Sequence, residues 1–250
     1  MSRQTRRSFI HASLAAVLAA HTLRAQQKQF ETPAADMAGD WAFTPNPALP
    51  NVLLLGDSIS IGYTRDVRTL LRNEANVYRP MSASGKKPAN CGDTPMGLAH
   101  IHQWLGDTRW QVIHFNWGLW DLCYRNPESN MQGHRDKIHG TLTSAIPQYK
   151  ANLEKLVAIL EQTGAKLIWA STTVVPPDEA GRFVGDDARY NAAAADVMRV
   201  HHIPTDDLYA LTKTFSPGDF QEPGNVHFQP AAYMRIAQQV AASIRSSLKT

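Results

Sequence analysis

The apolar run Val52-Leu53-Leu54-Leu55 passes straight into Gly56, Asp57 and Ser58, within "VLLLGDSISIGY", with no polar spacer. Four consecutive apolar residues closed by a Gly-Asp turn signal read as a strand buried on both faces. That is the pattern of a parallel sheet covered by helices, and parallel strands need crossover connections, usually helical. The rest of the chain has that rhythm. "TRDVRTLLRNEA" reads as a helix, "NVYRPM" as a strand, "PMGLAHIHQWLG" as a helix and "WQVIHFNWG" as a strand. In "IPQYKANLEKLVAILEQTG", Leu153, Leu156, Val157 and Leu160 recur at helical spacing, with Gly164 as the stop. "AKLIWASTTVV" is a further strand, "ARYNAAAADVMRVHH" a helix, "IPTDDLYAL" a short strand and turn, and "PAAYMRIAQQVAASIRSSL" a closing helix opened by Pro230. The expected fold class is α/β: a three-layer αβα sandwich around a mainly parallel, flavodoxin-like five-stranded sheet.

A chain of 250 residues suits one such domain, expected over 51–250. Residues 26–50 read as an extended, Pro-containing arm. The first 25 residues carry Arg3, Arg6, Arg7 and Arg24 and no acid, so removing them takes the net charge from +3 to about −1. No electrostatic case for nucleic acid remains. Paired Arg6 and Arg7, an Ala/Leu-rich stretch to Leu23 and the small Ala25 follow the order of a twin-arginine export signal. The alternative for this segment is an ordinary amphipathic helix. Its apolar part is too short, and too interrupted by His11 and His21, to span a bilayer stably. The mature protein is thus expected in the periplasm or outside the cell, with no membrane span. Export permits a bridge between the two cysteines, Cys91 and Cys123; two separate buried thiols are the alternative. No His or Cys stands at ligand spacing from either, so no metal is expected.

Ligands of open α/β sheets gather at the carboxyl edge of the strands, where Ser58 would sit. Its simplest role there is to cap the following helix. A serine nucleophile would instead need a base, and donors for the oxyanion. Three other strand-end loops offer them: "NCGDT" with Gly92, "FNWGLWDL" with Asn116, Trp120 and Asp121, and "PGNVHFQPAAY" with His227.

These stretches, in this order and spacing, resemble the four sequence blocks of the SGNH/GDSL hydrolase superfamily over about residues 51–240. Within it they resemble an exported bacterial esterase-like branch whose third block reads "HFNxGLHDL". The resemblance implies a carboxylic ester hydrolase without cofactors. Ser58 would be the nucleophile and His227 the base, with Ser58 and Gly92 N–H groups and a third-block side chain at the oxyanion. "GDSIS" differs from the GxSxG elbow of α/β-hydrolases, because Ser60 replaces the second Gly.

Two positions depart from the family. Trp120 stands where the third block carries its side-chain donor, leaving its indole N–H or the Asn116 amide for that role. The acid expected two or three residues before His227 is replaced by Asn225 and Gly224. Asn225 or a backbone carbonyl would orient the ring without charge, or Asp219 or Glu222 would swing in as a displaced acid. An active esterase for short acetyl-type esters is the leading reading. A carbohydrate-binding protein on a decayed site and an O-acyltransferase are its rivals. Four of the six tryptophans lie between Trp104 and Trp120. Trp117 and Trp120 are expected to line the site and stack on sugar, which points to an acetylated saccharide; Trp104 and Trp110 are expected in the core.

Overall fold

The computed structural model describes residues 41–249. The segment expected to be an export signal and most of the arm lie outside them. Five strands, β1 (Asn51–Leu55), β2 (Asn76–Tyr78), β3 (Val112–Phe115), β6 (Lys166–Ala170) and β7 (Thr205–Asp206), form a parallel sheet in the order β2-β1-β3-β6-β7. This is the flavodoxin-like order, with the expected layers. Val52 to Leu55 and Val112 to Phe115 are each buried, as central strands with both faces covered must be. Leu55 pairs with Phe115, and Phe115 with Trp169, so the strands end nearly level.

Helices α1 (Ser58–Leu70) and α6 (Pro230–Lys249) pack on each other over one face. The other face carries α2 (Thr94–Leu105), α3 (Ile146–Glu161) and α4 (Asp186–Val200), packed in sequence. Ile236, Val240 and Ile244 form the buried stripe of α6 with Ala232, Tyr233, Ala237 and Ala241. Each large apolar side chain there contributes roughly 1.5–3 kcal/mol through burial. The closeness of α1 to α6 depends on Gly62, because a Cβ there would enter the Tyr233 ring.

The expected elements are all present, with shifted ends. Helix α1 begins at Ser58, six residues before the "TRDVRTLLRNEA" segment, because Asp57 caps it: its carboxylate accepts from Ile59 N at 2.9 Å. Helix α3 stops at Glu161 and a short turn carries the chain to Gly164, whose φ is +69°. A small antiparallel pair, β4 (Tyr124–Arg125) and β5 (Thr141–Leu142), and a short helix α5 (Leu208–Thr212) had no sequence signature. The described end of the arm lies against α1: Arg68 donates to Trp41 O at 3.0 Å and stacks on the Phe43 ring at 4.4 Å.

Candidate active site

The strand order reverses between β1 and β3, so their carboxyl ends open a crevice at the topological switch point. Ser58 stands at its base as the first residue of α1, 7% exposed. Its position excludes a capping role, since Asp57 is the cap. The Ser58 N–H belongs to the first helical turn, where backbone donors have no partner inside the helix. Buried Arg79, just after β2, braces the turn through Ser60 Oγ at 3.3 Å, Thr64 Oγ1 at 3.0 Å and Ala89 O at 2.8 Å.

His227 comes from the loop before α6, and its Nε2 lies 2.8 Å from Ser58 Oγ. Its Nδ1 lies 2.7 Å from Asn225 Oδ1. An amide oxygen only accepts, so this contact assigns the ring proton to Nδ1 and leaves the Nε2 lone pair for the Ser58 hydroxyl. Asn225 Oδ1 also accepts from His227 N at 2.9 Å, fixing ring and backbone together. Burial, reinforced by the positive charges of Arg182 and Arg135, pushes the imidazole down to about 3. It is therefore neutral at physiological pH, the form a base requires.

The proposed alternatives to Asn225 are placed elsewhere. Asp219 closes a capping box, accepting from Ser216 N at 2.7 Å and Ser216 Oγ at 3.0 Å, and faces Arg235 at 3.5 Å. Glu222 reaches the imidazole only through Asn225, whose Nδ2 donates to its Oε1 at 3.1 Å.

The third block differs from expectation in several places. Asn116 is not a spare donor, because its Nδ2 donates to Ala170 O at 2.7 Å and Thr172 Oγ1 at 3.3 Å. Trp117 does not line the crevice. It is fully buried, packed on Gly97 of α2, with its indole donating to Cys91 O at 3.3 Å. Trp120 is 8% exposed and lies beneath the Arg125 guanidinium, 4.7 Å from its ring centre, so at least one of its faces is already occupied. Asp121 faces inward to Thr94, accepting from its hydroxyl at 2.6 Å and its N–H at 3.0 Å, which ties the block to the start of α2. Burial raises this carboxyl to about 7. Gly92 adopts φ +58° and its N–H donates to Asn90 Oδ1 at 2.9 Å.

The expected disulfide is absent: Cys91 and Cys123 are both free and buried. Cys91 is held by its N–H to Gly56 O at 3.1 Å, beside Arg79, while Cys123 Sγ packs against Gly181 and donates to Tyr124 O at 3.5 Å. The two loops leave the sheet edge toward different neighbours.

No protein-family model matches this chain, and no curated protein matches it by sequence. Solved structures do. The acetyl xylan esterase AlAXEase superposes with a TM-score of 0.61 at 13% identity, covering 78% of this chain and 99% of that one. A lipase/acylhydrolase from Enterococcus faecalis gives 0.60 at 17% identity, over 79% and 96%. An acetylxylan esterase from Geobacillus stearothermophilus gives 0.59 at 16%, over 78% and 94%. The architecture is the fold of these esterases and acylhydrolases.

On this scaffold one group near the crevice had no sequence signal. Arg182, in the loop between β6 and α4, is 5% exposed; its Nε donates to Leu119 O at 2.6 Å and its Nη1 to Glu179 Oε1 at 2.8 Å. Arg135 Nη1 meets the same oxygen at 2.7 Å. These residues come from loops whose composition is that of any polar connection, and only the fold brings them together.

Proposed function

We propose that the chain is an exported carboxylic ester hydrolase of the SGNH type, acting on short acetyl-type esters of saccharides with Ser58 as nucleophile. The observation that carries the reading is the chain of contacts Ser58 Oγ to His227 Nε2 to Asn225 Oδ1, at 2.8 and 2.7 Å. This is the nucleophile, base and orienting group that covalent acyl transfer requires. In the forward step Ser58 Oγ bonds to the ester carbonyl carbon as His227 Nε2 takes its proton. Collapse of the tetrahedral intermediate breaks the bond to the alcohol, which leaves with that proton. Water then repeats the sequence on the acyl-serine, releasing the acid.

The oxyanion is met by the Ser58 N–H at the start of α1 and by the Gly92 N–H, once the latter turns from Asn90 Oδ1 to the incoming carbonyl. Asn225 keeps the proton on Nδ1 but brings no negative charge to the imidazolium, so the reading is a Ser-His dyad with a neutral orienting group. The acetyl xylan esterases among the structural neighbours support an acetylated saccharide as the substrate class. The paired arginines and the Ala/Leu-rich run of the first 25 residues support export to the periplasm or beyond. Among the described residues no helix is long and apolar enough to cross a membrane.

The test is hydrolysis of 4-nitrophenyl acetate by the mature protein and by Ser58→Ala. The variant should lose at least about a thousandfold in kcat/KM, with an unchanged circular dichroism spectrum. Equal turnover by the two proteins would overturn the nucleophile assignment.

A further inference from the structure

The Arg182 guanidinium is more than nine-tenths buried, yet only part of its donor edge is used. Its Nε and Nη1 go to Leu119 O and Glu179 Oε1; among the described residues no acceptor meets its Nη2. Glu179 is itself fully buried and shared. Its Oε1 takes Arg135 Nη1 as well as Arg182 Nη1, and its Oε2 accepts from Gly181 N at 2.7 Å. One carboxylate therefore answers two guanidiniums, which leaves this contact set one positive charge in excess.

The position of the set is fixed from two sides. Leu119, which Arg182 holds, lies inside the third block, between Gly118 and Trp120. On the other side the loop abuts the segment that carries His227: a Cβ on Gly224 would lie 2.7 Å from Asp178 O and 3.5 Å from Glu179 N. Arg182 thus ties the third block to the Glu179 loop, which abuts the segment that carries His227. Its charge acts on both halves of the site. Arg182 and Arg135 both depress His227, and Arg182 acts on the buried Asp57 carboxyl beside Ser58. Asp57 is committed to Ile59 N as the helix cap.

We propose that Arg182, backed by Arg135, is a carboxylate-binding point beside the Ser58–His227 site, and that the ester cleaved there carries a carboxylate of its own. The inference rests on the esterase reading for its substrate, though not for the binding point. A guanidinium edge with an open N–H₂ favours a planar anionic oxygen group, and a charge-assisted bond to it is about twice as strong as a neutral one. A single excess charge matches a monoanion. The bound carboxylate also offsets the positive potential at His227, so the imidazolium that forms during attack is less disfavoured. Turnover as well as binding should therefore favour the charged ester.

Two pairs of esters test this and separate the side on which the carboxylate lies. Mono-4-nitrophenyl succinate is compared with its neutral methyl ester, and O-acetylated galacturonate with O-acetylated galactose. The mature protein should prefer the charged member of at least one pair by about tenfold or more in kcat/KM. Arg182→Gln should abolish that preference, lowering kcat/KM on the charged ester by about tenfold more than on its neutral partner. Preference in neither pair would overturn the proposal, as would an equal loss on charged and neutral esters, which would make Arg182 only a brace for Leu119.

Calorimetry on Ser58→Ala with succinate and with galacturonate reads binding apart from turnover. Binding of either, lost in Ser58→Ala/Arg182→Gln, would uphold the subsite even if no ester were cleaved, and the esterase reading alone would fall. Turnover without charge preference, with neither anion bound, would overturn the subsite and leave the esterase reading standing.

Discussion

At Asn225 an amide stands where a carboxylate would be expected, and its contacts show what that exchange keeps and what it loses. Oδ1 holds Nδ1–H at 2.7 Å, so tautomer and ring orientation are kept. The negative charge that would stabilise the imidazolium is lost. Asn225→Asp should therefore raise His227 from its depressed value and increase kcat on a short acyl ester by about tenfold. Glu222, 3.1 Å from Asn225 Nδ2, would then face a like charge, so the variant is best made with Glu222→Gln as well. An unchanged kcat, measured across the pH range where both proteins are folded, would show that charge at Nδ1 does not limit the reaction.

Legibility at this scale was uneven. Ser58 and His227 were singled out because a hydroxyl after an apolar strand and an imidazole before the last helix occupy defined edges of the sheet, and the fold brings them to 2.8 Å. Trp117, Asn116 and the two cysteines were misread because side-chain direction past a strand end depends on the loop path, which periodicity does not encode. Arg182 and Glu179 were invisible for the same reason.

Elements were easier to read than residues. Central strands and the longer helices carry runs and periods that leave little choice, as in Leu153, Leu156, Val157 and Leu160 of α3. Two-residue strands such as β4 and β5 have no period to detect, and their pairing depends on contacts made elsewhere in the chain. The start of α1 was missed because Asp57, the residue that ends the turn, is also the cap. The fit of α1 against α6 at Gly62 gives a prediction at this scale. Gly62→Ala would place a methyl inside the Tyr233 ring, and overpacking of this kind costs about 1–3 kcal/mol. The expected result is a lower urea midpoint with an unchanged m-value. Since α1 carries Ser58 and α6 follows His227, activity should fall with it. An unchanged midpoint would mean that the two helices are not held at this distance.

For the whole molecule, a mainly parallel, flavodoxin-like five-stranded sheet was expected, and the order found is β2-β1-β3-β6-β7. That order creates a switch point, and the switch point lets residues far apart in sequence meet at one edge. Ser58 arrives from the first crossover, Arg182 from the loop after β6 and His227 from the loop before the last helix. The site is thus a consequence of the topology, with its chemistry set by a few loop residues. The proposed chemistry depends on activation of Ser58 by His227. Treatment of the mature protein with a fluorophosphonate, followed by mass spectrometry of the peptides, tests it most directly. An activated serine displaces fluoride and forms a stable phosphonate ester. One adduct per chain is expected, on Ser58, and it should be lost in folded His227→Ala. An unlabelled Ser58, or labelling that persists undiminished without His227, would contradict that activation.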